Sequence, residues 1–166
     1  MPLCWLSIGS NQDRERSIRG AVADLRTAFG NLILSRVYES AAEGFSGEPF
    51  LNLVAGIRTE LGVAAIERIL RGIEDAHGRR RGPEKFAPRT LDIDLLTYGD
   101  TAGTLEGRAF PREEIFRYAF VLGPLAEVAP DERCPGTERT FRELWQELRR
   151  ELGPGRQWLT AIPLEL

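Results

Sequence analysis

The chain has 166 residues, 42% hydrophobic and 28% charged, with 17 glycines and 10 prolines. That is the size of one ordinary globular domain able to bury a core without a disulfide framework or structural metal, which excludes fibrous, disordered and cystine-rich classes. A formal charge of −3 opposes general attraction to nucleic acid or an anionic membrane. Cys4 and Cys134 lie too far apart in the chain to form a metal or redox motif, so a reducing cytoplasm is the expected compartment. The early apolar run 3–8 lacks a basic flank and is too short for a signal peptide or a membrane span.

Run 3–8 reads as a strand ended by Gly9-Ser10-Asn11. Over 17–29, Ile18, Ala21, Val22, Leu25 and Phe29 recur every three or four residues, which predicts an amphipathic helix closed by Gly30-Asn31. A second strand is expected over 32–38 and a surface loop over 39–49. A third strand follows over 50–61, with Gly56 hinting at a bulge. Ile66, Ile69, Leu70 and Ile73 predict a second helix over 63–76. Gly82, Pro83 and Pro88 make 79–89 a loop, and 90–98 alternates as a strand. A loop over 99–114, helices near 118–128 and 140–152, and an apolar tail over 157–166, read as an edge strand or a covering segment, complete the chain.

The order β-α-β-β-α-β predicts an α+β, ferredoxin-like fold: one antiparallel sheet with both helices on one face, plus a C-terminal helical extension. No linker or repeat divides the sequence. The expectation is one domain over 1–166, with a core at about 3–130 and a C-terminal helix and tail at about 139–166.

The chemistry concentrates in one stretch. Arg79, Arg80, Arg81, Lys85 and Arg89 stand against a single acid, Glu84, so 79–89 carries +4 and the rest of the chain −7. A focused anion site fits this better than a nucleic-acid face. In the strand that follows, Asp92 and Asp94 are two residues apart and therefore share a face. Alternation alone fits a solvated face opposite Leu91, Ile93 and Leu95 equally well. Paired carboxylates on a stiff strand also suit Mg²⁺, which takes one or two carboxylates together with substrate phosphates. Arginine forks feeding that strand point to a polyphosphate, although a charge run is more often a solvated turn, the reading preferred for Arg80.

The string Gly78-Arg79-Arg80-Arg81, followed by Ala87-Pro88-Arg89-Thr90-Leu91-Asp92-Ile93-Asp94-Leu95-Leu96-Thr97-Tyr98-Gly99, resembles the signature of the 6-hydroxymethyl-7,8-dihydropterin pyrophosphokinases of folate biosynthesis. Ile8-Gly9-Ser10-Asn11, Phe50-Leu51-Asn52 and Ala119-Phe120-Val121-Leu122-Gly123-Pro124-Leu125 fall in that family's order, and the resemblance covers 6 to about 130. It implies transfer of a pyrophosphoryl group from ATP to the hydroxymethyl oxygen of the pterin, releasing AMP. It implies two Mg²⁺ ions on Asp92 and Asp94, and Arg79 and Arg89 gripping the β- and γ-phosphates. It also implies ATP contacts from Arg81, Phe86 and Glu74, the last equally readable as an exposed helix residue. Asn52 and Phe120, with Phe50, are implied for the pterin, over a pocket floor shaped by Gly9-Ser10-Asn11. Partners would be these two small molecules, with no nucleic acid or membrane, and the chain would be a monomer.

The sequence departs from the family at several places. Gly82 stands where Lys is frequent, with Lys85 nearby, and Phe86 stands where Trp is common. Arg112 and Tyr118, with Arg117 adjacent, replace a His and an Arg, and 40–48 lacks the usual prolines. A nucleotidyltransferase is the enzymatic alternative, opposed by the 82 positions between Ser10 and Asp92. A nucleotide- or pterin-binding module without turnover is the non-enzymatic one. The lone histidine, His77, reads as a surface residue compensating a helix dipole.

Overall fold

The computed structural model describes residues 1–41, 48–78 and 91–166. Its elements, in chain order, are β1 (Leu3–Ser10), α1 (Arg14–Phe29), β2 (Ile33–Leu34), β3 (Val37–Ser40), β4 (Phe50–Arg58), α2 (Val63–Ala76), β5 (Asp92–Leu95), β6 (Gly103–Leu105), β7 (Arg108–Phe110), α3 (Glu114–Arg117), α4 (Ala119–Val128), α5 (Phe141–Leu152) and β8 (Leu159–Ile162). The main sheet runs β5-β1-β4-β3-β8, with β2 also paired to β4, and its pairings are antiparallel. This is the expected βαββαβ order with β8 added at the edge beyond β3.

The period-two pattern of the strands divides the sheet into two faces. Cys4, Leu6 and Ile8 of β1, Leu51, Leu53, Ala55 and Ile57 of β4, and Ile93 and Leu95 of β5 are buried against the apolar stripes of α1 and α2. Ile18, Ala21, Val22 and Leu25 form the first stripe, and Val63, Ile66, Leu70 and Ile73 the second. Both helices therefore lie on one face, as the sequence pattern requires. Trp5 and Val54 belong to the opposite face, where Ile115, Val121, Leu122, Leu125, Phe141 and Leu148 form a second apolar cluster. Thr140 caps α5 through a reciprocal exchange with Glu143.

Four local expectations are corrected. The strand read over 32–38 is two short strands, because the Ser35 hydroxyl accepts from the Val54 amide at 3.0 Å and replaces a backbone partner at the break. The stretch 99–114 is not all loop: β6 and β7 form a hairpin whose turn residues Glu106 and Gly107 have φ of 49° and 80°, the mirror-image turn that follows strand twist. Glu106 also accepts from the Val63 amide at 2.7 Å, which caps α2 from 43 residues away. His77 is not a simple surface residue; its Nε2 lies 3.0 Å from Asp24, joining the end of α2 to α1. Gly56 marks no bulge, since it keeps regular register opposite Trp5.

Among the described residues no helix is long and apolar enough to cross a membrane. Both cysteines are free and buried.

The reason for Gly56 is the Trp5 ring: a Cβ there would stand 2.8 Å from Trp5 Cζ3. Trp5 is itself buried and donates to Glu132 at 2.8 Å, so it has little freedom to retreat. Gly56→Ala is expected to destabilise the fold by roughly 1–3 kcal/mol, the usual consequence of overpacking, with an unchanged m-value in urea unfolding.

Candidate active site

β5 is a four-residue edge strand, paired on one side to β1. Ile93 and Leu95 are buried in the α1/α2 core, so the pleat turns Asp92 and Asp94 to the opposite face. Both acids are partly exposed there.

The open edge of β5 is closed by a pair of side chains from α2. Glu74 Oε2 accepts from the Ile93 amide at 2.8 Å, and Arg71 donates through Nη2 to the Ile93 carbonyl. Arg71 Nε and Glu74 Oε1 lie 3.0 Å apart. An ion pair thus occupies the two outward-facing backbone groups between the aspartates, the place of a neighbouring strand. Glu74 is fully buried and is not the exposed helix residue that its sequence position allowed.

The two acids repel each other. Burial and the neighbouring Asp92 charge push Asp94 above the ordinary carboxylate range, Arg71 and Arg112 pull it back, and Glu114 pushes it up. Arg71 is ion-paired to Glu74 and Arg112 to Glu114 at 3.0 Å. No ion pair or hydrogen bond to Asp94 is formed by a described residue, so its oxygens stay available. A half-desolvated, like-charge carboxylate pair fits a hard divalent cation. Among the described residues there is no group of three or more His, Cys, Asp or Glu that could hold a metal. Two carboxylates completed by substrate phosphate and water is the arrangement that Mg²⁺ favours.

Cross-strand register brings a second group to the same face. Asp92 is opposite Gly9, Gly9 is opposite Asn52, and Asn52 is opposite Tyr38. With strands about 4.8 Å apart, Asp92 and Asn52 stand about 10 Å from each other across Gly9. Gly9 keeps that interval open: a Cβ on it would lie 2.9 Å from Asn52 Oδ1 and 3.8 Å from Phe50 Cδ1. Asn52 is buried and donates to Ser40 Oγ at 2.6 Å, which fixes the amide with its oxygen toward Gly9. Phe50, two residues before Asn52 on β4, shares this face. Phe120 packs half-buried against the α4/α5 cluster and stacks on Tyr118, with centroids 5.0 Å apart.

Of the sequence-derived candidates, Asp92, Asp94, Asn52 and Phe50 come together on one sheet face, and Phe120 enters the apolar cluster covering another part of that face. Arg79, Arg81, Phe86 and Arg89, with Gly82 and Lys85, lie outside the described residues, as does most of the 40–48 loop. Arg117 pairs with Glu113 at 2.6 Å on the surface. Sequence reading missed Arg71, whose only signal is its three-residue spacing from Glu74 on α2, and left Arg112 unassigned although its charge reaches Asp94.

The antiparallel sheet thus presents a carboxylate pair on a strand that follows an arginine-rich stretch of the sequence. The family model described as 7,8-dihydro-6-hydroxymethylpterin-pyrophosphokinase matches residues 5–130. A Synechocystis 2-amino-4-hydroxy-6-hydroxymethyldihydropteridine pyrophosphokinase is 34% identical over 134 residues, 80% of this chain and 68% of the relative. The proteins of the same name from Methylorubrum extorquens and Porphyromonas gingivalis are each 35% identical, over 79% and 78% of this chain and 85% and 92% of their own lengths. The fold is similar to the crystal structure of Plasmodium falciparum HPPK-DHPS, with a TM-score of 0.71 and 13% identity over 92% of this chain. This chain spans 44% of that larger protein. The chain belongs to the 7,8-dihydro-6-hydroxymethylpterin-pyrophosphokinase family and is a pyrophosphokinase.

Asp94 gives the site a measurable signature. A carboxyl whose pKa is higher in the fold than in the unfolded chain binds its proton more tightly when folded. That contribution is complete at low pH and is lost as pH rises through the folded pKa, so at neutral pH ionised Asp94 weighs against folding. Asp94→Asn is expected to raise the metal-free melting temperature at pH 7, with the gain shrinking as pH falls toward the ordinary value of 3.8. Calorimetric melts of the two proteins across pH check this.

Proposed function

We propose that the site transfers a pyrophosphoryl group from ATP to the hydroxymethyl oxygen of 6-hydroxymethyl-7,8-dihydropterin, with Asp92 and Asp94 holding Mg²⁺, two ions in all. The observation that supports this most is the placing of Asp92 and Asp94 on the sheet face shared with Asn52, about 10 Å apart across Gly9. That interval suits a bicyclic ring at Asn52 with its hydroxymethyl arm reaching toward the carboxylates.

In this reading Asn52 offers its amide to the pterin edge, with Phe50 and Phe120 bordering the ring. Arg79 and Arg89 grip the β- and γ-phosphates as planar forks, and Arg81, Phe86 and Glu74 border the nucleotide. The signature string and the +4 local charge of 79–89 support those roles. Glu74, besides, keeps β5 in place through Ile93. Mg²⁺, when bound, neutralises charge on the transferring phosphates and fixes their orientation.

The hydroxymethyl oxygen forms the new bond to the β-phosphorus. The bond from that phosphorus to the α–β bridging oxygen breaks, and AMP leaves with the bridging oxygen. The alcohol proton passes to a base, and Asp94 is the carboxylate this face offers for that task in addition to its proposed place at Mg²⁺. Positioning and charge stabilisation carry the remainder of the rate. The two buried free thiols support a reducing cytoplasm as the working compartment, and the chain is read as a monomer acting on small molecules.

Asp92→Ala is expected to leave a cooperative fold and to lower kcat by about 10²–10³, as when one preorganised charge stabiliser is lost, measured as pterin-dependent AMP release. Normal release at limiting Mg²⁺ would overturn the metal role. Gly9→Ala, by displacing the Asn52 amide, is expected to raise the KM for the pterin about tenfold while leaving the KM for ATP near its original value. Equal rises in both would refute the assignment of Asn52.

A further inference from the structure

Outside the site just described, a groove of about 1170 Å³ lies between α4, α5 and β8, with walls also from Arg36, Tyr38 and residues 153–158. Its lining is unlike the rest of the chain. Five arginines (36, 142, 149, 150 and 156) and one acid, Glu127, line it, which gives +4 in a chain of net −3.

The three acids of α5 do not line the groove: Glu143 caps the helix, Glu147 pairs with Arg139, and Glu151 lies outside the lining. Glu127 is already engaged by Arg36 at 3.5 Å and by the Tyr38 hydroxyl at 2.6 Å. Arg142 pairs with Asp131 at 3.1 Å, both half-exposed or more. Arg149, Arg150 and Arg156 have no ion pair with any described residue, and Arg149 lies 5.7 Å above the Trp145 ring.

The groove also holds two of the chain's three tryptophans, Trp145 and Trp158. Trp145 is wedged beside Gly123 of α4, 3.2 Å from where a Cβ would be, and Trp158 keeps 39% of its surface exposed. Arg142, Trp145 and Arg149 fall on one stripe of α5, so a single helix face supplies both cations and an indole.

We infer that this groove is a second ligand site, for a planar heterocycle carrying two or more phosphate charges. Arg149, Arg150 and Arg156 receive the phosphate and the exposed Trp158 indole receives the ring. Guanidinium forks match phosphate oxygens, and an indole supplies a stacking face of low conformational entropy. The volume is of the order that accommodates a small ligand of this class. The wall is also tied to the reaction face: Gln157 accepts from the Ala119 amide at 2.8 Å and donates to the Arg117 carbonyl at 3.2 Å, directly before Phe120.

Trp145 and Trp158 report on this groove by indole fluorescence. Because Trp5 also emits from the sheet and both probes are products of the proposed reaction, the groove's share is the part of the quenching that Trp158→Ala removes. Titrations of the full chain with AMP and, separately, with hydroxymethyldihydropterin diphosphate are expected to quench the emission, the tighter of the two identifying the source of the ligand. Adenosine and inorganic pyrophosphate, each lacking half of the recognition chemistry, are expected to bind at least tenfold more weakly. Arg149→Glu/Arg156→Glu is expected to weaken quenching at least tenfold with turnover unchanged, and Trp158→Ala to remove most of the signal with an unchanged melting temperature. Undiminished quenching in the folded charge-reversed protein, or pyrophosphate binding as tightly as AMP, would overturn the inference. Loss of turnover is read separately, from AMP release, and bears on the reaction and not on the groove.

Discussion

Two carboxylates can hold an ion in fixed geometry only if the strand carrying them is fixed, and β5 is both short and at a sheet edge. An edge strand leaves every second residue's amide and carbonyl without a neighbour, which favours fraying. Here the Ile93 amide and carbonyl are taken by Glu74 and Arg71 from α2. Removing Glu74 from water is unfavourable by itself. The Ile93 amide and the Arg71 guanidinium offset that penalty, and the result is a strand held on both sides with no described residue on the Asp94 carboxylate.

The same pair of helical side chains moderates the charge problem it helps to create. Asp92 and Asp94 on one face repel, and partial burial adds to the disfavour of ionising both. A direct salt bridge would relieve this and would also close the site. Instead Arg71 and Arg112 are engaged by Glu74 and Glu114 and act on Asp94 at longer range. The field is lowered without any described residue occupying the carboxylate. The arrangement weighs against stability when both acids are ionised, the usual relation between a preorganised charged site and the fold that supports it.

Legibility in the sequence followed the range of the interactions. Alternation over Leu91, Asp92, Ile93, Asp94 and Leu95 places the acids on one face because strand period is local, and the 3.6-residue recurrence of Ile66, Leu70 and Ile73 places α2 for the same reason. Ser35 interrupting the second strand, Glu106 capping α2 and Trp5 explaining Gly56 were illegible, since each depends on a partner at least 19 residues distant. Glu74 shows the boundary most clearly. Its polarity on an otherwise regular helix fits solvent or a buried strand equally well, and only the docking of α2 beside Ile93 decides between them. The Glu106-Gly107 turn carried half of a local signal: glycine suits its second position, but glutamate is not a residue that favours the positive φ of the first.

What remains is why this sheet has a reaction face at all. Its α1/α2 side is covered by two long apolar stripes reaching from β5 to β4, and no ligand-sized opening could persist there without a loss of core. The other side is covered unequally: α4 packs on β4, β3 and β8, and α5 packs on α4. Among the described residues the β5–β1 end is correspondingly less covered on that side, and it is there that the row Asp92, Gly9, Asn52 begins. Covering one face fully supplies the rigidity, and the described residues cover the other only in part. The residue types follow this division, with isoleucine and leucine at alternate positions of β5 facing the complete layer and aspartate facing the incomplete one. Glycine at position 9 extends the opening one strand further, to the amide of Asn52, where any larger side chain would fill it.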